Sequence, residues 1–263
     1  MAFNFSAFSH VGFKRYVARA FLAILTTVGV LGHVSGVYEL PYIDQIEDLL
    51  YDTRVRLTAP GGEDDRIVII AIDEASLQEH GHWPFTREKF AAMMDNLYSY
   101  GAVVVGFDVL FAERDESSDM SLLRELASGE ADEIFRQRLN ELEPLIDRDR
   151  LFADAMAGGS TVLGYYFDTQ AETAFMTGVL PYPAFDFHES MANSVFLPRG
   201  EGYISNLAAL MDSAYSAGFI NNPLIDPDGV VRRTPLLHEY DLGAYEALSL
   251  AIAATYLLSL IHI

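Results

Sequence analysis

Apolar positions fall along this chain in three patterns: a long unbroken run, helical stripes and short continuous blocks. Residues 17–37, with FLAILTTVGVLGHVSGV as their main part, carry Arg19 as the only charged member. Roughly 20 apolar residues cross a bilayer as a helix, so this run predicts a membrane-spanning helix. In residues 41–57, Ile43, Ile46, Leu49, Leu50, Val55 and Leu57 recur at helical spacing, and Ala59-Pro60-Gly61-Gly62 ends the element. Residues 66–73 (RIVIIAID) are continuously apolar before their closing aspartate, the pattern of a strand buried on both faces of a parallel sheet. Thr86 is placed to cap a helix whose apolar face is Phe90, Met93, Met94, Leu97 and Tyr98, and Gly101 stops it. Residues 102–107 (AVVVGF) predict a second buried strand leading to Asp108. Strand, helix and strand in that order make a crossover unit with the two strands as parallel neighbours.

Further on, a helix is predicted over 151–157 and a third strand over 160–167, with a charge-rich surface excursion at 113–150 before them. Residues 169–200, with Pro181, Pro183 and Pro198, read as a long irregular connection. Residues 218–220 and 230–234 flank Asp226-Pro227-Asp228-Gly229, a turn signal that predicts a late hairpin between them. Residues 247–258 form a helix that is apolar nearly all round, too short to span a bilayer and suited to packing on a sheet. The fold class is α/β: a mainly parallel sheet flanked by helices with a late β-hairpin, preceded by one transmembrane helix.

Charge sets the orientation. Lys14, Arg15 and Arg19 lie at the start of the apolar run, and Glu39, Asp44, Glu47 and Asp48 follow it. The positive-inside rule then leaves residues 1–15 in the cytoplasm, runs the helix over 16–38 and exports a domain at 39–258. A cleaved signal peptide, with Val34-Ser35-Gly36 as its cleavage site, is the alternative, and it exports the same bulk. Gly32 and Gly36 have the spacing at which two membrane helices approach closely, the basis for expecting a homodimer through this helix. A formal net charge of −21 excludes a nucleic-acid surface. The chain has no cysteine, so disulfides and thiolate chemistry are excluded.

Asp73 and Asp108 each follow a predicted buried strand, at the carboxyl edge where open α/β sheets collect ligands. Two carboxylates there suit a divalent cation, but no third acid, nucleophile or phosphate-cradling loop accompanies them. The structural reading is that Asp73 caps the turn at 74–77 and Asp108 pairs with an arginine such as Arg87. Trp83, in Trp83-Pro84-Phe85, is suited equally to lining a pocket or to covering the core. His80 and His82 lack a third ligand at matching spacing, and no serine sits in a nucleophile-elbow setting. The expected ligand-binding residues are therefore Asp73, Trp83, Arg87 and Asp108, with no catalytic residue, no metal ligand and no cofactor.

Several motifs, in order, resemble the second type of CHASE domain, the cyclases/histidine kinases associated sensory extracellular domain. They are Tyr51-Asp52-Thr53-Arg54-Val55-Arg56-Leu57, the 67–77 segment IVIIAIDEASL, Trp83-Pro84-Phe85-Thr86-Arg87, and the 101–111 segment GAVVVGFDVLF. Gly218-Phe219-Ile220-Asn221, the 226–233 segment DPDGVVRR and Glu246-Ala247-Leu248-Ser249-Leu250-Ala251 complete the set. The resemblance implies a receptor of the inner (plasma) membrane that senses an unknown small-molecule or protein signal outside the cell. Its output would be a cytoplasmic nucleotide cyclase, histidine kinase or diguanylate cyclase. The family's sensor continues past this last helix, whereas here Leu258-Ser259-Leu260-Ile261-His262-Ile263 resembles a translated sequencing adaptor. Residues 259–263 are accordingly expected to be a non-native tail. The alternative function is an exported metal-dependent hydrolase using Asp73 and Asp108.

Overall fold

The computed structural model describes residues 10–38, 40–62, 64–115, 118–128, 133–169, 175–187 and 197–261. Two compact units divide the chain, Met1–Ala71 and Ile72–Ile263.

The first unit holds α1 (His10–Val34) and α2 (Pro41–Thr58). Within α1, Arg15–Val34 is long and apolar enough to cross a membrane. The helix closes in a Schellman motif: Val37 N–H donates to Gly32 O at 3.0 Å and Gly36 N–H to His33 O at 3.0 Å, with Gly36 at φ 72°. Gly36 thus ends the helix instead of continuing the Gly32 face. His33 joins the two helices, since Leu40 N–H donates to its Nδ1 at 3.3 Å and its Nε2 lies 3.4 Å from Asp44 Oδ1. Pro41 occupies the first turn of α2, where no intrahelical donor is lost.

The run predicted as a strand over 66–73 is irregular and exposed, with Val68 80% and Ile69 88% accessible. Apolar, β-branched composition sets a propensity, but a strand exists only where another backbone takes its ladder. No described strand pairs with 67–72.

The second unit is an α/β domain. α3 (Glu74–His80) and α4 (Arg87–Ser99) lead to β1 (Val104–Phe107), and α5 (Ser118–Ser128), α6 (Glu133–Ile146) and α7 (Arg148–Met156) lead to β2 (Ser160–Asp168). β1 and β2 are parallel, with Val104 opposite Ser160 and Phe107 opposite Leu163. The crossover expected between 66–73 and 102–107 is formed instead between β1 and β2. β6 (Ser216–Phe219) also runs parallel to β2, Val162 opposite Ser216. The far end of β2 pairs antiparallel with β5 (Gly202–Ile204), which pairs with β3 (Met176–Thr177). After α8 (Ala208–Ser213) and β6 comes the hairpin of β7 (Leu237–Tyr240) and β8 (Gly243–Glu246), and β4 (Phe185–Asp186) extends it into a small antiparallel sheet. α9 (Leu248–Ile261) packs on β6, β2 and β1.

The late hairpin is therefore β7–β8, not the pair expected around Asp226. There the chain closes on itself: Asp226 N–H reaches Val230 O at 3.1 Å, and Arg232 folds back to Asp226 at 3.0 Å and Asp228 at 2.7 Å. With its side chain 7% exposed, Arg232 holds 230–234 in a loop and keeps it from running out as a strand. Its guanidinium lowers the Asp228 carboxyl to about 2.

The core is aromatic. Phe90, Phe107, Phe111 and Phe152 touch one another at centroid separations from 5.1 to 6.0 Å, mostly edge to face, the geometry the ring quadrupole favours. Four elements meet at these rings: α4, β1, the loop after it and α7.

Candidate functional site

Beside the phenylalanine cluster lies a charged network that joins three stretches of chain. Arg87, the first residue of α4, is buried with its guanidinium 4.5 Å above the Phe111 ring. Its Nε donates to Asp149 Oδ1 at 3.2 Å and its Nη2 to the Glu113 carbonyl at 2.8 Å. Asp115 accepts the Arg87 backbone N–H on Oδ2 at 2.6 Å, and its own N–H donates to Asp149 Oδ2 at 3.1 Å. Arg148 approaches Asp115 at 3.8 Å from α7. Burial pushes the Asp149 carboxyl above its usual range, opposed by the Asp115 N–H and by the Arg87 charge. The cap of α4 comes from this network. Thr86 sits at the N-cap position but makes no side-chain cap bond, and a carboxylate from a distant loop takes the first free N–H.

Two asparagines extend the order inward. Buried Asn206 accepts Phe111 N–H on Oδ1 at 2.7 Å and donates Nδ2 to Gly164 O at 2.8 Å, tying the loop after β1 to β2. Asn221 imitates a strand residue: Phe167 N–H donates to its Oδ1 at 3.0 Å, and its Nδ2 donates to Phe167 O at 2.9 Å. The β2–β6 ladder thereby gains one more rung after β6 itself has ended.

Among the described residues no hydrogen bond, ion pair or ring contact joins any two of the four residues expected to bind a ligand. Asp73 caps α3, its Oδ1 accepting Ser76 N–H at 2.9 Å and Ser76 Oγ–H at 2.8 Å, which keeps its carboxyl below the ordinary value. Asp108 is exposed at the end of β1, and the expected pair with Arg87 is not made, because Asp149 holds the guanidinium. Trp83 is 46% exposed and packs edge-on to Phe85 at 5.8 Å and to Phe90 at 6.1 Å. Through Phe90 it connects with Phe107 and so with the strand that presents Asp108. Trp83, Asp108 and Asp73 keep exposed surface, although the Asp73 carboxylate caps α3, whereas Arg87 is buried.

Among the described residues no group of three or more His, Cys, Asp or Glu is placed to hold a metal ion. Sequence reasoning missed Asp149, Asp115 and Asn206, whereas Arg87 and Asn221 stood inside motifs that drew attention to them.

An α/β domain follows an apolar helix of membrane-crossing length, and buried Arg87, Asp149 and Asn206 hold its strands and helix ends. The chain belongs to the CHASE2 domain family, whose model matches residues 22–263. CHASE2 is an extracellular sensory domain of signalling receptors. No curated protein and no solved structure matches the chain.

Proposed function

We propose that this chain is the sensory part of a receptor of the inner (plasma) membrane. Residues 1–15 are cytoplasmic, 16–38 span the bilayer and 39–258 stand outside. The receptor's cytoplasmic output is a nucleotide cyclase first of all, and otherwise a histidine kinase or diguanylate cyclase. The observation that carries this reading is the family match over 22–263 to a domain that senses outside the cell. The helix Arg15–Val34, with basic residues at its start and Asp44, Glu47 and Asp48 beyond its end, supports the orientation. A signal, small molecule or protein, meets the carboxyl edge of the sheet near Trp83 and Asp108, two of the three expected ligand residues that are exposed, the third, Asp73, being the cap of α3. Association of two copies through α1 would bring two such domains side by side. No observation favours the hydrolase alternative.

Reporters fused after Leu57 test the reading. A reporter active only outside the cytoplasm is expected to work there, and one active only inside is expected to stay silent. The reverse result would overturn it.

A further inference from the structure

His238 on β7 is fully buried. Its ring stacks on Phe167 with centroids 4.6 Å apart and planes 18° from parallel, and it meets Phe219 of β6 edge-on at 5.5 Å. Nδ1 lies 3.2 Å from the Glu239 carbonyl, so Nδ1 carries the proton and Nε2 is left as a bare lone pair. Nε2 has no hydrogen-bond partner among the described residues. A second proton would therefore put an unpaired N–H and a positive charge among aromatic rings. The face of Phe167 attracts a cation, but weakly beside the cost of taking an unpaired charge out of water.

Of the charged groups around it, the Glu239 carboxylate favours the protonated ring, but burial outweighs it. Strand alternation puts Glu239 of β7 and Glu246 of β8 on the other face of the hairpin from His238 and Tyr245. The Glu239 carboxylate is also taken by Arg199 at 2.8 Å. Asp186 of β4 and Asp241 of the turn act on Tyr245. β2 and β6 present Phe167 and Phe219, which do not titrate.

We propose that His238 is a proton-operated latch: neutral, it holds the β7–β8 hairpin against Phe167, and on acidification it lets the hairpin go. Burial lowers its affinity for a proton relative to an ordinary histidine, in keeping with a closed neutral form. The hairpin runs directly into α9. Ala247 bridges to Phe219, and a Cβ on Gly218 would come 2.5 Å from Leu248 Cα. Release of the hairpin thus leaves the start of this helix held to the main sheet through β6 without the hairpin beside it. This inference is read on the chain itself and stands whether or not the proposed topology and output are correct.

Hydrogen exchange of the full chain in nanodiscs tests it, from about pH 7.5 to about pH 5, with rates corrected for the intrinsic effect of pH. Below the ordinary histidine value of 6.5, protection of the β7–β8 amides is expected to fall by up to about tenfold per pH unit, while α4 and α7 hold steady. His238→Phe, which keeps a stacked ring, is expected to remove that slope, and His238→Gln serves if the first variant does not fold. A flat profile in the wild type, the same slope in either variant, or loosening of α4 and α7 in step with the hairpin would overturn the latch.

Discussion

At Arg87 a buried guanidinium satisfies a carboxylate, a carbonyl and an aromatic face at once. Breaking one partner of such a pair strands the other charge, whereas replacing both by apolar groups of similar size removes the desolvation cost with the attraction. Arg87→Ala is expected to lower stability by about 3–5 kcal/mol, and Arg87→Met with Asp149→Leu is expected to recover most of that loss. Urea unfolding of the two variants beside the wild type measures this. A double variant as unstable as the single would show that the Glu113 and Asp115 contacts, not the ion pair, dominate. Arg87 was legible in the sequence as a residue in need of a carboxylate. Its partner was not, because Asp149 lies 62 positions away on α7, and local periodicity does not tell which distant acid will arrive. The same holds for Asn206, whose bond to Phe111 spans 95 positions.

At the scale of elements, the β7–β8 turn is the clearest misfit between residue type and backbone. Asp241 and Leu242 both have positive φ, 46° and 64°, as two-residue hairpin turns of the primed types require. Asparagine and glycine take these angles at little cost, while a leucine there is strained by about 1–2 kcal/mol. Leu242 is 39% exposed, so its partial burial offsets only part of the strain. Asp241→Asn with Leu242→Gly is therefore expected to stabilise the domain by about 1 kcal/mol, read as a higher urea midpoint at unchanged slope. A lower midpoint would mean that the leucine side chain holds something the backbone argument overlooks. Because the pair is not a glycine-type turn signal, this hairpin was invisible in the sequence, and the strong signal at 226–229 drew the expectation to the wrong place. The helices were better legible. α2 and α4 lie close to their predicted spans, since each carries its own period, and α9 does so for its unbroken apolar length. β2 was legible for its continuous apolar run, but the similar run at 67–72 is unpaired, which shows that composition does not supply a ladder.

For the molecule as a whole, burial is the chief cause of six shifted titrations among the described residues of the second unit, and the signs of three of them, His238, Asp149 and Tyr165, illustrate its response to pH. His238 is held below 6.5, so the unfolded chain takes up its proton first, and the stability it contributes is lost as pH falls below that value. Asp149 is raised above 3.8, so just above that value the folded form keeps the extra proton, and acidification there works in the opposite direction. Tyr165, fully buried with its hydroxyl unpartnered among the described residues, is raised well above 10, chiefly by burial. Its contribution is complete below pH 10 and is lost above it, where the unfolded chain ionises first. Tyr165→Phe removes that loss together with a buried hydroxyl that has no partner, a group that costs about 1–3 kcal/mol to bury. The variant is expected to be at least as stable as the wild type at neutral pH, and its advantage is expected to widen above pH 10. The comparison has to be made as a difference, because the other 13 of the chain's 14 tyrosines are present in both proteins and affect them alike. A constant difference across that range would place the Tyr165 hydroxyl in contact with water, and the interior around Phe167 would then be more open than its stacked rings imply.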